Sequence, residues 1–404
     1  MLKQRVLILG AGTAGLTAAN RLAELGLASL VVEKGLFPGG HVASLACKAT
    51  TSCAQCHACL LEETAAKAAG AAFRLSLQTS LISCRPNKDQ YLARLARGPY
   101  FIDSDKCLDC GLCYEACPEK DKAILRSPLK IGPRYGISTA ACRRFNGRAC
   151  QACLEACPAA AVNFEAATTE EEVSIEAVVM AGGFEPFDPR LKPRFGYGRL
   201  DGVVTALELD QSLRNQGRLP RPDGRSEVRK VAFIQCVGSR DKSLNRDYCS
   251  RVCCGYALRM AALIRHRWPA LTVTMFYMDL QNAGRDFNRY YQDLKTKVEL
   301  IQGAPGEVTA RPDGGLDVPF ISDQTGLKET RTFDLVVLSI GLGPPDLTPL
   351  AALNIPINQD GFLISQPERG LFAAGAAAGP MGVAEARASA LKAALEATDY
   401  LKRT

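Results

Sequence analysis

An α/β fold of two Rossmann-type units, the first interrupted by a small cysteine-rich module, is what the sequence predicts, on three observations. The stretch from Arg5 to Glu33 reads as strand, glycine turn, helix and second strand; another buried strand of the same kind runs from Val231 to Gln235; and two cysteine runs repeat one another between Tyr100 and Phe164. The 404 residues suggest two to three domains, and 47% hydrophobic residues are enough to fill their cores.

Val6 to Leu9 is a short buried apolar strand, Gly10, Gly12 and Gly15 have GxGxxG spacing, and Leu16 to Leu25 has helical periodicity. Each glycine has a physical task in such a turn. The first turns the chain, the second lets the backbone approach a pyrophosphate, and the third lets the helix pack on the strand, with the helix N-terminus facing the phosphates. Glu33, just after Val31 and Val32, is placed to accept the ribose hydroxyls. The N-terminal location of the motif favours FAD over NAD. Gly39 and Gly40 follow in a loop that either brings backbone close to the cofactor or simply turns.

The longest run of small apolar residues, 371–384, is broken by glycines and Pro380, short of the roughly 18 to 20 apolar residues of a spanning helix. The first strand starts directly after MLKQ, which leaves no room for a signal peptide and makes the cytoplasm the expected compartment, with membrane contact only through a partner. Seventeen cysteines are too many for an ordinary cytosolic enzyme, and a secreted disulfide framework does not suit a large core without a leader, so metal clusters are the natural explanation. The formal charge of +7 comes from scattered basic residues, without the basic blocks of a nucleic-acid binder. A [4Fe–4S] centre on four thiolates carries about −2 and FAD about −2, so four clusters and one flavin bring the total to roughly −3. The basic apoprotein is read as cofactor compensation.

The cysteines fall into groups. Cys47, Cys53, Cys56 and Cys59 include a CxxCxxC run able to wrap three corners of a cubane, with Cys47 or a distant thiolate as the fourth ligand. A zinc site and packed free thiols are the rival readings there. Cys107, Cys110, Cys113 and Cys117 followed by Pro118 form CxxCxxCxxxCP; Cys142, Cys150, Cys153 and Cys157 with Pro158 repeat it with a longer first gap, CYEACP against CLEACP. This resembles the bacterial two-cluster ferredoxins, in which the last cysteine of each run crosses to the other cluster. The resemblance implies Cys107, Cys110, Cys113 and Cys157 around one cluster and Cys142, Cys150, Cys153 and Cys117 around the other. Cys84 is left over.

Ile175 to Phe187, a strand ending in Gly182, Gly183 and Pro186, resembles the ATGxxP exit from the FAD domain of flavin disulfide reductases, which makes the ferredoxin-like module an insertion. Asp188 to Glu227, rich in Pro, Gly and Arg, is expected to cross the surface as a linker with one short helix around Ala206 to Leu213. The strand at Val231 then runs not into a second GxGxxG but into Cys236, Val237, Gly238 and Ser239, so NAD(P)H binding is doubtful. Cys249, Cys253 and Cys254 follow. By spacing, these three with Cys236 either surround a cluster or are buried thiols.

IQCVGSRD followed by YCSRVCC closely resembles the A-type flavoprotein component of heterodisulfide reductase, of heterodisulfide-reductase-like complexes and of the quinone-interacting membrane-bound oxidoreductase. The resemblance implies a [4Fe–4S] cluster on Cys236, Cys249, Cys253 and Cys254 beside FAD. It spans nearly the whole chain, to Gly375 and Ala376, where the wider disulfide-reductase fold has Gly-Asp on the flavin ribitol. It also implies B- and C-type or quinone-interacting partners from the same complex and a ferredoxin-like donor or acceptor. The full expectation is an α/β, two-domain FAD/NAD(P)-type, disulfide-reductase-like Rossmann flavoprotein with an inserted two-cluster ferredoxin domain. Its parts are 1–99 and 334–404 of the FAD domain, the insertion at 100–165, return strand and linker at 166–228, and a cluster-bearing second domain at 229–333. One FAD and four [4Fe–4S] clusters, all but Cys84 used, would make it the electron-transfer component of a complex. The alternative is a free-standing NAD(P)H oxidoreductase like the smaller chain of glutamate synthase, and the non-enzymatic reading is a zinc-stapled scaffold.

Overall fold

The computed structural model describes residues 4–220, 228–281, 291–292 and 294–403. The FAD-type unit is a five-stranded parallel sheet in the order Leu371–Ala373, Ala177–Met180, Val6–Leu9, Ser29–Val32, Arg74–Ser76. Its three central strands are buried on both faces, which is why they read as unbroken Val, Ile and Leu rather than as an alternation. Helix Thr13–Glu24 lies on one face beside the long closing helix Val383–Arg403, which contributes Ala390, Ala393, Ala394, Ala397 and Leu401 to a common core with Leu16, Ala19 and Leu22. The alanine stripe lets these two helices approach closely.

The insertion leaves and returns through one stem. Strands Gln90–Arg97 and Thr169–Ile175 pair antiparallel, so Arg97 stands opposite Thr169, and an isolated bridge joins Ile102 to Val162. Everything from 98 to 168 therefore hangs from a single doorway, with its own small core of Phe101, Ile124, Tyr135, Ile137, Ala161 and the cysteines. The expectation of an inserted module is met by this pairing.

The second unit differs from its expected boundaries. Its sheet runs Val203–Thr205, Leu335–Ile340, Lys230–Val237, Thr272–Tyr277, Glu299–Pro305, all parallel, followed by the antiparallel Leu316–Ser322. Residues 203–215 are thus no surface linker. Val203–Thr205 is a buried edge strand, and helix Ala206–Asn215, held by a capping box between Thr205 and Glu208, buries Leu209 and Leu213 in the second core. A three-residue strand is too short to show periodicity, and the surrounding Pro and Gly mask it. Residues 221–227 of the expected linker lie outside the described residues. Likewise strand Leu335–Ile340 belongs to the second sheet and not to the FAD unit; the chain returns only after Leu342–Gly343, which pairs antiparallel with Glu185–Pro186. Both corrections have one cause: a parallel strand's sheet is fixed by partners far away along the chain.

Candidate redox site

The expected FAD-binding residues converge at the carboxyl ends of the central strands. Gly10 has φ +101°, and a Cβ there would meet the Ala181 carbonyl oxygen at 2.5 Å; a Cβ on Gly15 would lie 1.8 Å from the Gly10 carbonyl oxygen. No side chain fits at either position. Gly12 caps helix Thr13–Glu24 and bridges to Gly39, whose N–H donates to the Ala11 carbonyl at 2.7 Å. Gly39 and Gly40, both at positive φ, therefore pack on the glycine turn itself, as a cofactor-approaching loop would. Gly182 and Gly183 have open space over them, and Gly375, at φ +62°, sits where a Cβ would be 2.6 Å from the Ala14 methyl. Ala376 follows in the same short turn.

These residues fit an anionic dinucleotide. The helix that starts at Thr13 has no side-chain cap and no acidic residue in its first turn, so its free amides and positive dipole end face the glycine turn. The Thr13 hydroxyl is buried without a hydrogen-bond partner among the described residues, as a donor to a ligand oxygen would be. Glu33 accepts the Ala11 N–H on Oε2 and the Gly35 N–H on Oε1, both at 2.8 Å, which fixes its carboxylate at the strand end and leaves lone pairs for hydroxyl donors. Sequence spacing missed His41. Its ring stacks on Phe184 with centroids 4.5 Å apart, and its Nε2 lies 3.2 Å from the Phe184 carbonyl, tying the Gly39–Gly40 loop to the Gly182–Gly183 turn. A lone histidine has no spacing by which to be noticed.

In the insertion, burial pushes the Cys113 thiol up to about 11, and among the neighbouring charges that add to this are Cys107, Cys157 and Cys110. Burial likewise raises Cys153 to about 11, reinforced by Cys142 and Cys150. Arg143 interacts with both Cys150 and Cys117. Cys113 thus feels Cys157 of the other run, and Arg143 feels Cys117 together with Cys150 of the other run, as the crossed assignment requires. The last cysteine of each run accepts a backbone N–H from just beyond it: Ala123 donates to Cys117 Sγ and Ala161 to Cys157 Sγ, each at 3.3 Å. Backbone amides aimed at sulfur are the groups that tune a cluster's potential.

The third group stands at the end of strand Lys230–Val237. A register shift between Ile234 and Val237 bulges the strand, and Cys236 takes φ +59°, turning it away from the sheet. Helix Cys253–Arg267 begins with Cys253 and Cys254. Burial pushes Cys253 well up and Cys236 to about 11, and each also feels the charges of Cys254 and Cys249. Arg240, ion-paired with Asp279, works against this at Cys236. As free thiols Cys236 and Cys253 hold their protons at neutral pH, so any metal they take must displace protons. The Gln235 side chain, immediately before Cys236, is buried with both Oε1 and Nε2 unpartnered among the described residues. A buried orphan amide is costly, and a sulfide- or thiolate-bearing group next to it would satisfy the donor. The donor set and this amide fit an iron–sulfur cluster.

This loop is fastened to the FAD unit. Arg251 pairs with Glu385 at 2.8 Å and donates to the Pro380 carbonyl at 3.2 Å, both at the entry to the closing helix, and the Ser250 hydroxyl accepts the Leu342 N–H at 2.9 Å. Cys47, Cys53, Cys56 and Cys59 are arranged differently. Cys56 is half-buried and the other three are exposed, on a loop that Arg259 of the Cys253–Arg267 helix grips through the Ala54 carbonyl at 2.7 Å. The loop repeats the local geometry of the Cys249 turn: residues two beyond, Gln55 and Arg251, have positive φ and donate their N–H to Cys53 Sγ at 3.4 Å and Cys249 Sγ at 3.3 Å. His57 is exposed, also at positive φ. Among the described residues no three His, Cys, Asp or Glu side chains converge as the cage of a single ion. Cys84 stands apart, fully buried, its thiol pushed up to about 12 by burial.

Residues 8–52 match the model of an NAD(P)-binding Rossmann-like domain, and residues 98–119 that of a 4Fe-4S binding domain. The chain is 30% identical to the A component of the H(2):CoB-CoM heterodisulfide,ferredoxin reductase of Methanothermobacter marburgensis, over 97% of this chain and 63% of that protein. It is 31% identical to the corresponding A component of the ferredoxin:CoB-CoM heterodisulfide reductase of Methanosarcina acetivorans, over 98% of this chain and 57% of the relative. Among solved structures, thioredoxin reductase of Lactococcus lactis superposes with a TM-score of 0.57 at 14% identity, covering the whole of both chains, and that of T. acidophilum with 0.55 at 15%, covering 98% of each. These structures establish the two-unit fold.

Proposed function

Because the chain belongs, along 97% of its own length, to the A-component family of heterodisulfide reductases, we propose that it is an FAD- and iron–sulfur-containing electron-transfer subunit of a heterodisulfide-reductase-like oxidoreductase complex. It spans about 63% of that relative, so the activity of the assembled complex is part of the proposal. The partners are other members of that complex, B- and C-type or quinone-interacting, together with a ferredoxin-like carrier. Among the described residues no helix is long and apolar enough to cross a membrane.

The observation that carries this reading is the replacement at the end of strand Lys230–Val237. Where a pyridine-nucleotide enzyme needs a glycine cradle, this strand bulges into Cys236 and faces Cys249, Cys253 and Cys254, beside an orphan amide and tied by Arg251 to the FAD unit. Flavin exchanges electrons in pairs and clusters singly, so this chain's task is to hold the two close and to set the sulfur environment. Gly10, Gly12, Gly15, Glu33, Gly39, Gly40, Gly182, Gly183, Gly375 and Ala376 would hold FAD. The sixteen cysteines other than Cys84 would hold four clusters, with Cys47 as the fourth ligand of the N-terminal one. Anaerobic analysis of the purified protein is expected to give about 16 iron atoms per flavin. A reproducible value near 8 would leave only the insertion's two clusters and reject the other two.

A further inference from the structure

An open cleft of about 480 Å³ lies at the seam of three parts of the chain: Cys47 of the N-terminal loop, Arg126 and Pro128 of the insertion, and the ends of two helices bearing Arg214 and Arg267. All three arginines are exposed. Among the described residues none of them is paired with a carboxylate; Arg214 donates only to the Leu45 carbonyl, at 2.8 Å. Elsewhere this chain pairs such residues readily, as in Arg74 with Glu171, Arg94 with Glu170 and Arg143 with Glu119. Arg214 and Arg267 end their helices, where a cation offsets about half a negative charge each, so three guanidiniums leave roughly two positive charges uncompensated.

The cleft is also fixed in place. Lys48 and Asp210, 2% and 3% exposed, pair at 2.7 Å, and Asp210 accepts the Ala46 N–H at 2.8 Å, which pins the Cys47 end of the loop to helix Ala206–Asn215. A standing positive surface beside a thiol of the redox loop suits an acidic protein that carries single electrons, because charge complementarity brings the carrier in and orients it. We propose that the arginine cleft at Cys47 is the docking site of an acidic iron–sulfur carrier protein of ferredoxin type. This rests on reading the Cys47–Cys59 loop as an iron–sulfur loop.

The test uses the anaerobic holoprotein and a strongly acidic two-cluster ferredoxin, with association measured by calorimetry between about 0.02 M and 0.3 M salt. Wild type is expected to bind with a steep loss of affinity as salt rises. The R126E/R267E double variant is expected to bind about tenfold or more weakly at low salt and to lose most of that salt dependence, with iron and flavin contents unchanged. Equal affinity and salt slope in the two proteins would overturn the docking site. Displacement of the ferredoxin by polyglutamate at equal affinity would overturn the assignment of the partner class. Wild-type iron near 12 per flavin, three clusters instead of four, would instead remove the underlying reading of the loop.

Discussion

At the scale of single residues, the informative positions are those whose backbone or polarity makes sense only with a neighbour. Gly15 is fixed by the Gly10 carbonyl at 1.8 Å from where its Cβ would be, and Gln235 stands out because neither amide atom has a partner among the described residues. The two differ in legibility. Gly15 could be named from spacing, whereas Gln235 is an ordinary strand residue until the bulge and burial are seen. Replacing Gln235 with Met removes two orphan polar atoms, each costing about 1–3 kcal/mol when unsatisfied, so the cluster-free protein is expected to gain thermal stability. With the cluster in place the same change removes a donor to sulfur, and the potential of one EPR signal should move negative while iron and flavin stay constant. A stability gain with an unmoved potential would show that the amide does not reach the cluster.

Among elements, the buried Lys48–Asp210 pair is the feature that no local pattern announces. Lys48 follows Cys47 directly, yet its partner lies 162 residues away on a helix that composition alone places in a linker. Breaking such a pair leaves an uncompensated charge in the interior and costs about 3–5 kcal/mol. Asp210→Ala is therefore expected to lower the melting temperature and to loosen the Cys47 end of the loop, with iron falling from about 16 towards 12 per flavin. The double replacement Lys48→Met, Asp210→Leu should recover much of the melting temperature, since an apolar pair of similar volume is tolerated where a lone charge is not. Iron recovery alongside it would assign the salt bridge a purely structural role; thermal loss in Asp210→Ala without any iron loss would remove the link between the pair and the loop.

For the whole molecule, the arrangement of the two units decides which electron donors have access. The second sheet keeps the parallel order of a nucleotide-binding domain, but its leading strand ends in a bulge and Cys236. NADH and NADPH are expected to leave the flavin oxidised over minutes in stopped flow, while dithionite reduces it. Rapid bleaching by NADH would favour the alternative of a nucleotide-dependent reductase. Cys253→Ser should remove one cluster signal from the EPR spectrum, keep FAD and the two signals of the insertion, and slow flavin reduction within the assembled complex. A variant with full iron and unchanged turnover would reduce this cysteine group to packing.

Sequence alone carried the expected chemistry of this protein further than its architecture. The glycine turn, the CxxCxxCxxxCP run with its longer-gapped repeat and the QCVGSRD segment are local patterns, because turning a chain against phosphate or wrapping a cluster sets requirements over a few neighbouring residues. Tertiary structure alone decided what depends on distant partners. It moved Val203–Thr205 and Leu335–Ile340 into the second sheet, brought Gly39 onto Gly12, tied His41 to Phe184, and buried Lys48 against Asp210. The physical reason is the same throughout: parallel pairing and buried ion pairs join segments that share no local signal, and the lack of a carboxylate partner among the described residues, as at Arg126 and Arg267, becomes visible only when the surface around them has been assembled.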